Sequence, residues 1–194
     1  LEYYADVMTA LGAATASSSE EIATGLEKFS AVAETIGLSY EYATSALATI
    51  TATTRQSADV VGTALKTLFA RMQDLELGKT LDDGTTMGQY SDNLAKIGVN
   101  ILDASGNLRE MDKVLDDLGA RWDNLTEAQK VATAQGVAGI RQYTQFIALM
   151  ENWDFMQQNL ATASGASGAL DTQADIYAES WEAAQKRVTA SAEK

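Results

Sequence analysis

Adjacent carboxylates are the residues whose type and spacing come closest to an acid–base site. Two pairs of adjacent aspartates occur, Asp82 with Asp83 and Asp116 with Asp117. A general acid and a general base work in contrasting environments around one substrate atom, whereas neighbouring side chains on a helix point about 100° apart. We therefore interpret both pairs as solvated carboxylates. The sequence has no histidine and no cysteine, which excludes imidazole and thiol catalysis, disulfides and the usual zinc sites within it.

Two further segments have the outline of binding motifs. The run 103–107, Asp-Ala-Ser-Gly-Asn, has residues of a calcium loop but lacks the spaced acidic ligands and the closing glutamate. The segment 126–150 has helix-turn-helix proportions, with Arg141 and Gln142 as candidates to contact bases, but its nearly neutral charge gives little attraction to phosphate. We interpret the first as a turn and the second as a helical corner. The sequence thus predicts no enzyme, and no catalytic, cofactor-binding or metal-binding residues.

Charge and composition bound the class of protein. The 194 residues carry 14 basic and 27 acidic side chains, a formal net charge of −13, so bulk electrostatic coating of nucleic acid is excluded. Because 46% of the residues are apolar and 21% are charged, the chain can bury a sizeable core. The pattern of apolar runs predicts neither a membrane span nor a signal peptide. The start at Leu1, inside an apparent helix, predicts a piece of a longer protein.

The composition also predicts an all-α fold. Proline is absent, and residues that enter helices with little loss of entropy, alanine above all, are common. We expect a multi-helix bundle or a helical array of short amphipathic helices. One small β-hairpin is predicted near 99–109, where the β-branched Val99 and Ile101 precede the turn residues 103–107.

Apolar spacing and capping residues place the individual helices. The strongest predicted helix begins after Ser57 and carries an apolar stripe to Leu75, and a similar stripe runs over Ile22–Ile36. A later stripe consists of Ile140, Tyr143, Ile147 and Met150. The predicted N-caps are Ser18 or Ser19, Ser39, Ser57 and Thr126. Between helices we expect a break at Thr51–Gln56 and a loop at 78–88, where turn residues cluster.

A Gly/Ser segment divides the chain. Residues 164–168, Ser-Gly-Ala-Ser-Gly, are long and polar enough to act as a hinge. We predict a helical core module at 1–163, a hinge at 164–170 and the start of a terminal helix at 171–194, which we expect to continue beyond the chain. The terminal helix has an apolar stripe of Ala174, Tyr177, Trp181, Ala184 and Val188. We expect self-association along this stripe.

Three segments resemble tailed-phage tape measure proteins of the TP901 type. Ile50–Met72 resembles the core region of that family, and 103–109 resembles its hairpin turn. Trp122–Met150 resembles its Trp-x-x-Leu…Ala-Gln…Gly-x-Arg-Gln…Leu-Met pattern, and the three segments stand in the family's order within roughly Ala43–Trp153. The motif residues for which we expect a structural or contact role are Ala64, Leu65, Lys66, Phe69, Arg71, Asp103, Gly106, Arg109, Trp122, Gln129, Gly139, Arg141, Gln142 and Met150.

The resemblance implies a long, mostly helical structural protein of a siphophage, a myophage or a related prophage. Such a protein lies in the lumen of the tail tube, tube subunits assemble around it until its length is covered, and it leaves ahead of the DNA. The implied partners are tail tube proteins, tail-end or baseplate proteins and tail assembly chaperones, together with self-association. No sequence-specific nucleic acid is implied, and membrane contact is confined to ejection. The implied locations are the virion tail lumen and, during assembly, the host cytoplasm.

This chain departs from the family pattern in lacking a long rod, a membrane-length apolar segment and a cell-wall hydrolase module. A continuous helix converts residue count into length at about 1.5 Å per residue, whereas a chain interrupted by many caps and turns is a poor ruler. We therefore expect a compact bundle that initiates tail assembly or docks on the tail's end proteins, with the ruler elsewhere.

Two alternatives stay open at this point. Amphipathic stretches such as Ile22–Ile36 and Val60–Leu75 could insert into the host membrane during genome ejection, although the low basic content argues against binding to anionic lipid. The chain could also be a non-phage helical adaptor with a cellular partner and no effect on tails.

Overall fold

The computed structural model describes residues 2–179, and every regular element among them is a helix. This part contains α1 (Glu2–Thr15), α2 (Ser19–Thr35), α3 (Tyr40–Thr54), α4 (Ala58–Glu76), α5 (Met87–Ala95), α6 (Met111–Arg121), α7 (Glu127–Ala138), α8 (Tyr143–Glu151) and α9 (Trp153–Ser164). A short 3-10 helix, Trp122–Asn124, follows α6, and residues 169–179 are also helical. The predicted all-α class is confirmed. The predicted stripe residues Trp181, Ala184 and Val188 lie outside the described residues.

The predicted β-hairpin near 99–109 is wrong. Leu102 and Leu108 form a single isolated antiparallel bridge, and no strand occurs in the described part of the chain. Val99 and Ile101 are buried in the helical core. A lone two-stranded hairpin is marginal in water, so these β-branched side chains join the core and only the turn beyond them forms.

The predicted break at Thr51–Gln56 is mostly helix. Helix α3 continues to Thr54, and the hydroxyls of Thr53 and Thr54 donate to carbonyl oxygens one turn earlier, over 2.8 and 2.7 Å. Back-bonding of this kind lets threonine hydroxyls find partners without leaving the helix. Arg55 is the C-cap of the helix, with a left-handed φ of 57°, so the true break is confined to the residues just before Ser57.

The predicted N-caps are confirmed, with Ser18 as the cap of α2. The side chains of Ser18, Ser39, Ser57 and Thr126 each accept a hydrogen bond from the backbone N–H three residues later, over 3.0, 3.1, 3.4 and 3.3 Å. Two of these, at Ser18 and Thr126, are complete capping boxes. Such a cap contributes about 1 kcal/mol, so local sequence alone starts α2, α3, α4 and α7.

Helix α3 lies at the centre of the described part. Residues 42–50 of this helix are all buried, and it packs against α1, α2, α4, α8 and α9. A helix that is buried on all sides needs polar groups that find partners inside the core. The Thr49 hydroxyl meets this need, since it donates to the carbonyl oxygen of Ser45 over 2.7 Å and accepts from Nδ2 of Asn159 on α9 over 2.9 Å.

Helices α2 and α4 form the most extensive helix pair among the described residues. Their backbones touch at two glycines. A Cβ on Gly62 would overlap the carbonyl oxygen of Gly25, and one on Gly25 would lie 2.9 Å from the carbonyl oxygen of Ala58. The close approach brings Phe29 and Phe69 together with ring centroids 5.7 Å apart. Small residues at the crossing therefore allow large ones beside it to pack.

The Gly/Ser segment 164–170 lies against α1. The carboxylate of Asp6 accepts hydrogen bonds from the backbone N–H groups of Gly168 and Leu170, over 2.9 and 2.8 Å, and Ala166 is buried. Asp6 thus caps the start of the helical residues 169–179 from a distant part of the chain. The division of the chain at this segment stays a prediction. No helix in the described range has both the length and the apolar character to cross a membrane.

The Gly62→Ala variant tests the α2–α4 contact. We expect it to lower the free energy of unfolding by about 1–3 kcal/mol, because the added methyl meets backbone that cannot move aside. The matched control is Gly136→Ala inside α7, where nothing lies within 4 Å of an added Cβ. This control should stabilise by about 0.5–1 kcal/mol through helix propensity. Chemical denaturation followed by circular dichroism measures both, and equal shifts would contradict the contact.

Candidate functional site

Six of the fourteen motif residues lie in the core. Ala64, Leu65, Phe69, Trp122, Gly139 and Met150 are all buried. The indole of Trp122 packs edge-on against the ring of Phe146, with centroids 6.0 Å apart. Aromatic pairs in this geometry add stability beyond their buried area. These six motif residues therefore help to hold the helices together.

Arg71 on α4 connects three separate parts of the chain. Its side chain is 15% exposed and pairs with Asp83 in the loop after α4, with Nη2 2.8 Å from Oδ2. The same guanidinium donates from Nη2 to the carbonyl oxygen of Gly136 and from Nε to that of Val137, each over 3.4 Å. These carbonyls lie in the last turn of α7, where a positive charge is favoured by the helix dipole. We call this set of contacts the Arg71 linkage.

Gly139 forms the corner between α7 and α8 beside the Arg71 linkage. Its φ is +77°, a conformation that costs little only for glycine. A Cβ at this position would also lie 3.2 Å from Nη1 of Arg71, so the guanidinium occupies the space that a side chain would need. The motif glycine and the motif arginine are therefore parts of one contact, although they are far apart in sequence.

The residues after Gly139 point to solvent. Ile140 is 76% exposed, so its predicted place in the apolar stripe of α8 is wrong. The left-handed turn at Gly139 redirects the chain, and α8 does not begin until Tyr143. Arg141 is exposed as well, and Gln142 is half-buried at the N-terminus of α8. The corner thus displays an apolar side chain next to a cationic one.

Two open grooves border the Arg71 linkage. One has a volume of about 560 Å³ and lies between α4 and the corner, with Lys66, Ile140 and Arg141 among its lining residues. The other, about 410 Å³, lies between α5 and α7 and is lined largely by polar side chains. Asp83 lines both grooves. Hydrogen bonding by Thr85, together with the guanidinium of Arg71, lowers the pKa of the Asp83 carboxyl, which keeps it charged.

The turn at residues 103–109 is stabilised by hydrogen bonds among its own residues. Oδ1 of Asp103 accepts from the backbone N–H groups of Ser105 and Asn107, over 2.8 and 2.9 Å, and Gly106 has a φ of +81°. Arg109 ties the turn to α6, with Nη1 2.8 Å from Oδ2 of Asp117. The carboxylate of Asp103 therefore stabilises the turn by accepting backbone hydrogen bonds, as in an Asx turn.

A polar cluster joins α3, α6 and α9. The Tyr42 hydroxyl and Nε2 of Gln157 both donate to Oδ1 of Asp116, each over 3.3 Å. Burial raises the pKa of Asp116 and, with the nearby Asp116 carboxylate, raises the pKa of Tyr42. The interpretation of Asp116 as a merely solvated carboxylate is wrong, because this half-buried side chain on α6 accepts hydrogen bonds from α3 and α9.

The remaining motif residues divide between capping and exposure. Gln129 completes the capping box of α7, with Oε1 2.9 Å from the backbone nitrogen of Thr126. Lys66 is exposed on α4.

Sequence reasoning missed the partner of Arg71, since no local pattern pairs it with Asp83. The exposure of Ile140 could have been expected from the preceding Gly139, because glycine commonly ends a helix. Among residues 2–179 no group of three or more acidic side chains is placed to hold a metal ion.

Comparison with known proteins gives one finding on family. The family model described as phage-related minor tail protein matches residues 1–139. This range includes the Arg71 linkage and ends at the corner glycine. No solved structure matches the chain.

The Arg71→Met variant tests the Arg71 linkage. We expect it to lower the free energy of unfolding by about 1.5–3 kcal/mol, because two helix-end carbonyls and a carboxylate lose a charged donor. Lys66→Met, on the same helix but exposed, should change stability by less than about 0.5 kcal/mol. Urea denaturation measures both, and an Arg71→Met variant as stable as its control would refute the linkage.

The Asp116→Asn variant tests the buried carboxylate. A folded-state pKa above the unfolded value, about 3.9, means that the charged form opposes folding at neutral pH. The amide oxygen can still accept from Tyr42 and Gln157, so the variant should be more stable than the parent at pH 7. The advantage should disappear as the pH falls below the unfolded pKa, where both are neutral. Thermal melts across pH measure this, and a constant difference at all pH values would contradict it.

Proposed function

The chain belongs to the phage-related minor tail protein family, and from this premise we propose that it is the folded assembly module of a TP901-type tape measure protein. Membership makes it a structural component of a phage tail. The proposal adds that the parent protein sets tail length and takes part in DNA ejection. This module would begin tail assembly or dock on the tail's end proteins, while the ruler lies elsewhere.

The observation that carries the proposal is the agreement between the family match and the role of the motif residues. The match covers residues 1–139, and the three segments that resemble the tape measure family fall in one folded body. Phe69, Trp122 and Met150 in those segments are buried, and Arg71 in the first segment donates hydrogen bonds to the carbonyl oxygens of Gly136 and Val137 in the third. A motif that serves packing fits a module that must fold, and it does not require a catalytic group.

The dimensions of the helices favour docking over measuring. The longest helix of the described part, α4, has 19 residues, which corresponds to about 28 Å of length at 1.5 Å per residue. Successive helices turn back and pack around α3, so added residues would not add length along one axis. Support for the ruler role therefore comes from the family and not from this module.

The proposed partners are those that an assembly module of the tail would meet. We infer contacts with tail tube proteins, tail-end or baseplate proteins and tail assembly chaperones, and self-association. The site of action is the virion tail lumen, with the host cytoplasm before assembly is complete. The net charge of −13 suits a lumen through which DNA passes, because like charges discourage adhesion.

Membrane insertion fits the fold less well. The apolar stripe of α2, which includes Ile22, Leu26 and Phe29, is buried in the core, as are Leu68 and Met72 on α4. Insertion would require these side chains to leave the contacts that hold α2 and α4 together. No specific contact among the described residues favours that role.

In-frame changes in the phage gene that encodes this chain test the proposal. A flexible insertion of about 20 residues at the tip of the turn, between Ala104 and Ser105, should leave tail length unchanged, since exposed loop tips tolerate insertions. Deletion of α8 (Tyr143–Glu151) should abolish tails, because it removes part of the core. Deletion of about 30 residues from a ruler segment outside this chain should shorten tails by about 45 Å. Electron microscopy of tails measures all three.

The outcomes separate the roles of the module. Tails lengthened by the insertion in proportion to its residues would mean that this segment is itself ruler. Normal tails after deletion of α8 would remove the assembly role. Infectious particles with normal tails but failed genome delivery would favour action at the membrane.

A further inference from the structure

The corner between α7 and α8 presents an unusual surface for so acidic a chain. We define the corner surface as Ile140, Arg141 and Lys66, which line the groove of about 560 Å³ beside α4. The Arg71 linkage and the hydrogen bond from the Gly139 N–H to the carbonyl oxygen of Gln135, over 2.9 Å, stabilise the turn. Ile140 is 76% exposed. Because it borders an open groove and two cationic side chains, a partner could bury an apolar side chain and pair carboxylates at the same place.

Within the part of the chain that the structure describes, Lys66 and Arg141 of the corner surface form no ion pair with a carboxylate. Three carboxylates line the same groove. Asp83 and Asp74 are already paired, with Arg71 and Lys79, and Asp82 is in none of the ion pairs among residues 2–179. The local surface is thus available to a ligand that combines an apolar side chain with carboxylates.

The helical residues 169–179 present the complementary pattern. One side of this helix, with Thr172, Gln173 and Ile176, lines a groove against α1 and α9. Leu170, Ala174 and Tyr177 follow at i, i+4 and i+7 and so share a different side. All three are exposed, Tyr177 to 73%. We define the tail stripe as these three residues with the flanking Asp171 and Asp175.

The corner surface and the tail stripe come from parts of the sequence that differ in charge. Residues 142–179 contain five acidic side chains and no basic one. Residues 55–141 contain ten basic side chains, and among residues 2–179 one further basic side chain lies outside that range. A contact between two acidic ends would be repelled at a net charge of −13. The tail stripe therefore fits a basic partner surface better than it fits another tail stripe.

We propose that the tail stripe of one copy of this chain docks on the corner surface of a second copy. Tyr177 and Leu170 cover Ile140 and enter the adjoining groove, and Asp171 and Asp175 pair with Lys66 and Arg141. The inference rests on the self-association proposed above and names its surfaces. It replaces a symmetric seam between two terminal helices with a head-to-tail contact.

A head-to-tail contact has a definite consequence for assembly. Each copy still has one unused corner surface and one unused tail stripe, so addition continues until a ring closes or a filament forms. The contact needs no other tail protein. Its failure can therefore be observed with the purified chain, apart from any effect on tail length.

Charge reversal tests this pairing directly. One variant carries Lys66→Glu with Arg141→Glu, and the other carries Asp171→Lys with Asp175→Lys. The parent chain should associate with rising concentration and less at high salt, because exposed charges are screened. Each variant alone should associate about tenfold or more weakly, since attraction becomes repulsion. An equal mixture should recover association, because each reversed surface then meets its complement. Sedimentation velocity measures the mass in each case.

A matched control excludes general charge effects. Lys28→Glu with Lys113→Glu makes the same change in charge at two exposed ion pairs on α2 and α6, and it should associate as the parent does. Circular dichroism confirms that every variant is folded, and a Tyr177→Ser variant, which keeps all charges, should also lose association. A parent chain that stays monomeric, a corner variant that still associates, or a mixture that does not recover would each overturn the proposal.

Discussion

The backbone contact between α2 and α4 is the constraint on which the rest of the packing depends. Gly25 and Gly62 let the two helices approach until main-chain atoms touch, and Phe29 and Phe69 then fill the space beside the crossing. Helix α3 packs against both of these helices and also against α1, α8 and α9. A looser crossing would move α3, and every helix that uses α3 as its support would follow, because protein interiors are close-packed and transmit such shifts.

Charged side chains then connect parts of the chain that the core leaves apart. Arg71 joins α4, the following loop and the end of α7, Asp6 joins α1 to the start of residues 169–179, and Asp116 joins α6 to α3 and α9. In each case a group with several lone pairs or donors satisfies more than one partner. Partly buried groups of this kind are costly when a partner is lost, so they define where the peripheral helices sit.

Buried and exposed residues of this chain have different roles, which matters for a tail protein. Buried residues such as Phe69 and Trp122 secure the core, whereas Ile140 with its cationic neighbours and the stripe of residues 169–179 are exposed. A rigid body with two different contact surfaces can be placed in a defined orientation among tail proteins. A structural role in a phage tail depends on such geometry and contact.

The sequence by itself determined the helical class, the N-caps at Ser18, Ser39, Ser57 and Thr126, and the buried stripes of α2 and α4. These features depend on neighbours within one turn of the chain, where spacing and capping act. Only the tertiary structure decided the glycine crossing of α2 and α4, the partners of Arg71, Asp6 and Asp116, and the exposure of Ile140. It also turned the predicted hairpin into a single bridge, since Val99 and Ile101 gain more by burial among helices than by pairing. Each of these outcomes joins residues distant in sequence, and local periodicity contains no information about which distant groups will meet.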